Sequence, residues 1–290
     1  MKRLIPLLII LSVSLTVQGQ FKKNKGAIAS KPSQQSKFLE KQWWLGFKAG
    51  TNFSQPSPIK RYTVTTPTNY AQALNDKVYD SFSKTGSQAT LEATFYFKGF
   101  SFSTQPTYRQ SRFSYTNQFQ WRNPENSAEH LVLKYDQEQN ANYADFPLLI
   151  KYDILRGKLR PYVQVGVFYS LLINANKSIK ISGTDYASGG INQFSNQEII
   201  VGAKDLFHNY WGIMGGAGLG YNLGNVKVVL DASYWKSMSN ISNTSNRFSN
   251  DRLTGVGDAQ DDLDLNNIVI SAGVLFPMRF LSNSFKTLDR

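Results

Sequence analysis

Cysteine is absent from the 290 residues, which excludes a disulfide framework, thiolate zinc and iron–sulfur sites, a cysteine nucleophile and an acylated-cysteine lipid anchor. Charged residues are sparse at 18 %, fewer than a solvent-exposed helical bundle carries. Long apolar runs are missing too. After residue 20 nothing approaches the roughly 20 consecutive apolar residues that a membrane-spanning helix needs, so any membrane insertion must use strands. What is plentiful is 15 Tyr, 19 Phe and 21 Gly, with many Ser, Asn and Thr, a composition that favours β structure.

Met1-Lys2-Arg3, the apolar run Leu4 to Val17 and the small residue in Gln18-Gly19-Gln20 read as a secretory signal peptide over 1–19. Residues 20–42 hold lysines 22, 23, 25, 31, 37 and 41 against Glu40. Such a segment buries no core and is expected to be a flexible basic arm in the periplasm. An acidic protein partner or lipid headgroups would suit it; nucleic acid would not, because an exported protein does not meet the genome.

From residue 43 the dominant period is two, the repeat of a strand with unlike faces. Leu45, Phe47, Ala49 and Phe53 alternate with Gly46, Lys48, Gly50 and Asn52. The same split recurs near 87–97, 100–115, 141–154, 159–173, 209–223, 225–236 and 266–280, giving eight strands. Tight turns at Lys98-Gly99, Arg156-Gly157-Lys158 and Gly224-Asn225 alternate with long polar stretches over 56–86, 116–140, 174–208 and 241–264. Strict sorting of loops by length is the habit of an up-and-down membrane barrel, with short turns on the periplasmic side and long loops outside. The fold class expected is therefore all-β, an eight-stranded antiparallel transmembrane barrel over 43–280 with a tail at 281–290. Ten strands are an alternative, since Leu131, Leu133 and Tyr135 also alternate, although these more readily extend a strand above the membrane.

Face chemistry points the same way. Lys48, Glu92, Asp145, Lys151, Asp153, Lys227 and Asp231 all fall on the face opposite the apolar one. Charges on a dry core would be very costly; in a polar lumen, with the apolar face against lipid, both faces make sense. An eight-stranded barrel is just wide enough for its own side chains, so these groups are expected to pair and plug it. Trp43, Trp44, Trp211 and Trp235 lie near strand ends, where aromatic belts are expected. Lys98, Arg156, Lys158 and Arg160 mark the periplasmic ends and suit headgroup contact.

Trp44-Leu45-Gly46-Phe47-Lys48-Ala49-Gly50-Thr51-Asn52-Phe53-Ser54 resembles the first strand of the PorT-like outer-membrane β-barrel family of Bacteroidota. Tyr143-Ala144-Asp145-Phe146-Pro147-Leu148-Leu149-Ile150-Lys151-Tyr152, followed by a tight turn and Arg160-Pro161-Tyr162, resembles that family's recurrent strand. The resemblance spans 43–280 and implies an outer-membrane barrel of a Gram-negative bacterium, in a family whose namesake is associated with type IX secretion. Barrel chains of this kind commonly end on an aromatic, a place Phe280 would take despite the tail beyond it.

The remaining constellations are thin. His130 and His208, with Asp205 nearby, provide the parts of a lipid hydrolase, but no spacing selects them from solvated loop residues. Asp258, Asp261, Asp262 and Asp264 gather carboxylates of the kind hard cations prefer without the spacing of a calcium loop. Gly215-Gly216-Ala217-Gly218-Leu219-Gly220 lacks the strand–turn–helix setting of a nucleotide loop. Glycines 212, 216, 218 and 220 share a face and are expected to make room for bulky lumen side chains such as Phe168 or Tyr96. No cofactor is implied. The function expected is a non-enzymatic barrel embedded in outer-membrane lipid, a scaffold or accessory that meets envelope partners through its arm and outer loops. A narrow or gated channel is the alternative, and a lipid hydrolase a lesser one.

Overall fold

A computed structural model describes residues 41–62, 77–155, 157–195, 198–247 and 259–278. The leader, nearly all of the basic arm, Arg156, Asp258, Phe280 and the tail lie outside the described residues. Twelve strands appear in chain order: β1 (Lys41–Lys60), β2 (Val78–Tyr79), β3 (Thr85–Phe97), β4 (Phe100–Thr104), β5 (Thr107–Arg122), β6 (His130–Asp153), β7 (Leu159–Asp185), β8 (Asn192–Ser195), β9 (Ile199–Gly202), β10 (Tyr210–Asn222), β11 (Lys227–Ser237) and β12 (Asp262–Pro277).

The wall is a closed antiparallel ring. β1 pairs with β3, β3 with β4 and β5, those with β6, then β7, β10, β11 and β12, and β12 returns to β1. β4 and β5 are one spanning strand, interrupted at Gln105–Pro106 because proline has no N–H to give the ladder. The gap is bridged by Leu91 N donating to Pro106 O at 2.9 Å and Gln105 N donating to Pro147 O at 3.2 Å. Eight spanning strands result. The ten-strand alternative fails because Leu131, Leu133 and Tyr135 prolong β6 upward. At the β3–β4 turn Lys98 (φ 48°) and Gly99 (φ 100°) both have positive φ, the requirement of a two-residue turn that follows the strand twist.

Outward side chains through the wall are apolar and exposed, among them Phe47, Leu91, Phe102, Leu148, Val165 and Leu230. Trp43, Phe100 and Tyr152 ring the end that carries the short turns, and Tyr169, Trp211 and Tyr234 the other. Trp44 and Trp235, expected in these belts, instead point inward and are buried. The correction follows from parity: Trp44 shares a face with Lys48, and Trp235 shares one with Asp231, so proximity to a strand end was outweighed by the side of the strand.

Face polarity inverts above the membrane. β6 keeps its parity throughout, but its outward residues change from Phe146, Leu148 and Ile150 to Asn142, Asn140, Glu138 and Asp136. β7 makes the change with a bulge: Tyr143 pairs with Leu172 and Asn142 with Asn174, leaving Ile173 unmatched. Below it Val163 to Leu171 face outward on odd positions, a length that suits the about 9–11 residues of a tilted spanning strand. Beyond it Ala175, Lys177 and Ile179 face inward, as expected where one extra residue switches the faces. Much of the stretches 116–140 and 174–208, read from sequence as loops, is therefore strand. With β8, β9 and inserted segments it forms a head whose interior holds an apolar cluster, including Phe113, Ile179, Leu206, Phe207, Ile241 and Leu263, beside buried polar groups such as Lys177, Gln137 and Gln139. The segment after β11 is tied in by Ile241 N donating to Leu263 O at 2.9 Å.

The glycine face of β10 does make room. A Cβ at Gly212 would stand 2.5 Å from Phe168 Cζ, and one at Gly218 2.5 Å from the Tyr162 ring; Tyr162, not Tyr96, is the second occupant. Gly215 faces outward, with nothing nearer than Gln164 O at 3.9 Å. Gly212→Val is expected to destabilise the barrel by about 1–3 kcal/mol through overpacking, and Gly215→Val to leave it nearly unchanged, as urea unfolding midpoints in detergent micelles will measure.

Candidate functional site

The lower lumen is held by charges drawn from strands on every side. The alternation of β1 places Lys48 inward, where its Nζ donates to Asp231 Oδ2 at 2.7 Å and Gln105 Oε1 at 3.0 Å and lies 2.9 Å from Glu92 Oε2. Lys151 Nζ approaches the other oxygen of Glu92 at 2.6 Å, and Thr94 Oγ1 donates to that same oxygen at 2.7 Å. Tyr162 donates its hydroxyl proton to Asp231. Near the mouth on the short-turn side Arg160 turns inward to Asp153 at 3.4 Å rather than outward to headgroups, because its position shares the inward face of Tyr162 and Gln164. Lys227 points into the same space, 5.7 Å from the Tyr162 ring centre. The cavity that Trp44, Glu92, Lys151, Asp153 and Lys227 help to line there measures about 10 Å³, room for roughly one water.

Above this, a second network closes the neck. Arg109 is wholly buried, its Nε and Nη2 donating to the two oxygens of Asp145 at 2.6 and 3.0 Å, the fork geometry that makes arginine–carboxylate pairs strong. Nη1 donates to Ser111 Oγ at 2.6 Å and Nη2 to the Tyr210 hydroxyl at 2.7 Å, while Ser170 Oγ donates to Asp145 at 2.6 Å. The guanidinium carbon lies 5.3 Å from the Tyr143 ring centre and 5.4 Å from that of Trp235. Sequence reading named Asp145 and missed Arg109. The signal was present, since Arg109 falls on the same parity as Gln105 across the Pro106 interruption.

Two carboxylates of the last long loop, Asp261 and Asp262, are taken up by protein donors. Asp261 is buried and receives Lys77 Nζ at 3.1 Å, the Tyr79 hydroxyl at 2.8 Å and Tyr62 N at 2.9 Å. Asp262 receives Arg247 Nη2 at 2.6 Å, and that guanidinium lies over the Tyr62 ring. Asp264 stands on β12 apart from both ion pairs. Among the described residues no group of three or more histidines and carboxylates is placed to hold a metal ion. His130 stacks on Tyr186, with centroids 4.1 Å apart, and its Nδ1 lies 3.0 Å from Ala128 O. His208 is exposed and anchored by its backbone N to Ile241 O at 2.7 Å.

Two expectations follow from these networks. Partial burial pushes the Asp262 carboxyl up, but hydrogen bonds from Arg247 and Asn240 and the charge of Arg247 outweigh it, holding the group below the ordinary aspartate value. A depressed carboxylate pKa contributes stability that is present above the unfolded value of about 3.9 and lost as pH falls through the folded one. Protection of the amides near Arg247 and the start of β12, measured as exchange relative to the intrinsic rate at each pH, is expected to fall as pH drops below about 4, and Asp262→Asn to flatten that dependence. In the neck, Asp145→Asn leaves Arg109 buried without its counter-charge and is expected to cost about 3–5 kcal/mol, whereas the double change Arg109→Met with Asp145→Leu costs much less. Unfolding midpoints of Asp145→Asn, of Arg109→Met and Asp145→Leu separately, and of the double variant will measure the cost and the coupling.

The sequence profile of the family described as outer membrane protein beta-barrel domain matches residues 18–243. No curated protein matches the sequence. Among solved structures, the chain is similar to Ail, the attachment invasion locus protein of Yersinia pestis, in complex with the heparin analogue sucrose octasulfate, at 14 % identity and a TM-score of 0.31, covering 81 % of this chain and 99 % of that one. Neisserial surface protein A gives 14 % identity and a TM-score of 0.30, over 81 % and 96 % of the two chains. The outer membrane protease OmpT from Escherichia coli gives 12 % and 0.28, over 82 % and 95 %. The family profile covers most of the eight-stranded wall and well over half of the sequence, and on that ground the chain belongs to the outer membrane protein beta-barrel domain family.

Proposed function

We propose that this outer-membrane barrel is a closed, non-enzymatic scaffold of an envelope complex, presenting its head outside and its basic arm in the periplasm. The observation that carries the reading is the double seal of the lumen, with Lys48, Glu92, Lys151 and Asp231 cross-linking the lower half and Arg109 with Asp145, Tyr143 and Trp235 filling the neck. A pore needs a continuous wet path, and each of these charges is already satisfied by a protein partner. What is left for function is surface: the head, the lipid face and the arm.

Kinship with the PorT-like proteins, and through them a role beside type IX secretion, is the finer part of this proposal. It is supported by how the resembling segment is used: Asp145 and Lys151 supply two of the buried ion pairs, while Phe146, Leu148 and Ile150 face lipid. In-cell cross-linking of the tagged chain, followed by outer-membrane extraction and mass spectrometry, is expected to give a stoichiometric set of envelope proteins that shrinks when residues 20–40 are deleted. Single-channel recording of the folded barrel is expected to be silent. A bare barrel with discrete conductance steps would replace the scaffold by the channel.

A further inference from the structure

The outward face of the wall is not evenly convex. β3 pairs with β4 up to Ala93 and Thr104 and with β5 again from Thr90 and Thr107, so the interruption at Gln105–Pro106 falls within the bilayer. The outward residues beside it, Ala93 and Thr104, are small, and larger ones stand around them: Trp43 and Phe95 on one side, Phe102 and Ile150 on the other. The outcome is an apolar hollow of about 650 Å³ bounded by β3, β4, β6 and β7, within the roughly 300–1,000 Å³ of ligand clefts. A second hollow, of about 490 Å³, lies along the same wall nearer the head, around Ala89, Pro106 and Ala144.

Position and charge together select the occupant of the lower hollow. It lies at hydrocarbon depth and no charged residue lines it, so its ligand is hydrocarbon. A second barrel would offer a convex wall of about its own curvature and would bridge the hollow without filling it; a single flexible chain can lie inside. The four bounding strands run down to two turns, and each turn carries a lysine, Lys98 between β3 and β4 and Lys158 between β6 and β7. Lys98 is three residues beyond Phe95, about 10 Å at strand rise, and its ammonium is held 5.4 Å from the Phe97 ring centre. This is headgroup depth on the periplasmic side, where a lysine meets anionic phosphate favourably.

We propose that the hollow is a binding site for one acyl chain of a periplasmic-leaflet phospholipid, whose phosphate is met by Lys98 and Lys158. The site rests on the outer-membrane location of the barrel and is independent of the scaffold reading.

The full-length protein tests it in two ways. In native mass spectrometry after extraction in mild detergent, a single phospholipid is expected to remain on each chain. Ala93→Phe fills the hollow and is expected to abolish retention, Lys98→Gln with Lys158→Gln to weaken it several-fold, and Ala232→Phe, exposed on the outward face of β11, to leave it intact. In vesicles of phosphatidylethanolamine containing a phosphatidylglycerol probe with a diazirine midway along one acyl chain, photo-adducts on the unaltered protein are expected to concentrate on Phe95, Phe102 and Ile150. Adducts spread evenly around the lipid-facing wall would overturn the site even if Ala93→Phe fails to fold, as would equal retention by Ala93→Phe and Ala232→Phe.

Discussion

The carboxylates inside the barrel have the opposing cations and hydroxyls of the same lumen, and almost nothing else. An eight-stranded ring leaves no room for bulk water, so the inward charges are met by one another and by neighbouring hydroxyls of the lumen. Glu92 is the hinge of this arrangement: two lysines from β1 and β6 converge on it, and one of them continues to Asp231 on β11. Isolated buried pairs of this kind are weak evidence for stability, since desolvation offsets the attraction. Their geometry nevertheless fixes which strands face which. A wall slipped by one residue would turn Lys48 into the hydrocarbon, and that penalty specifies the register of the whole ring.

The head depends on the same strands with the opposite rule. In the membrane the inside is polar and the outside apolar; above it Phe113, Ile179 and Leu263 are inside, and Asn140, Glu138 and Asp136 outside. β6 achieves this by changing its composition, and β7 by a single bulged residue. The neck network lies between the two regimes. Arg109 is suited to that position because its guanidinium can form ion pairs with the polar lumen below and stack on aromatic rings that continue into the apolar head.

The wall was legible in the sequence because period two, turn chemistry and loop-length sorting all report the same barrel. Lys48, Glu92, Asp145, Lys151, Asp153, Lys227 and Asp231 could be assigned to the lumen by parity alone. Parity also contained Arg109, which was overlooked beyond the Pro106 interruption, and the inward course of Trp44, Trp235 and Arg160, for which position near a strand end was given more weight than the side of the strand. The head was illegible for a different reason. Its core is assembled from segments far apart in the chain, and the bulge at Ile173 has no local signature, since either alternation alone reads as a strand. The family profile adds the class of protein but says nothing of these contacts.

The continuity of β5, β6 and β7 from wall into head has a consequence for how the molecule is made. The head cannot be threaded through its own lumen, because the neck is filled and the head is built on the same strands that form the ring. Its polar outward residues must therefore reach the far side before β12 joins β1, while the wall is still an open sheet. Once that last seam closes, withdrawal would drag Asp136, Glu138 and their neighbours through hydrocarbon. Insertion is in this sense a ratchet, and the orientation of the protein is decided by the order in which its strands are closed.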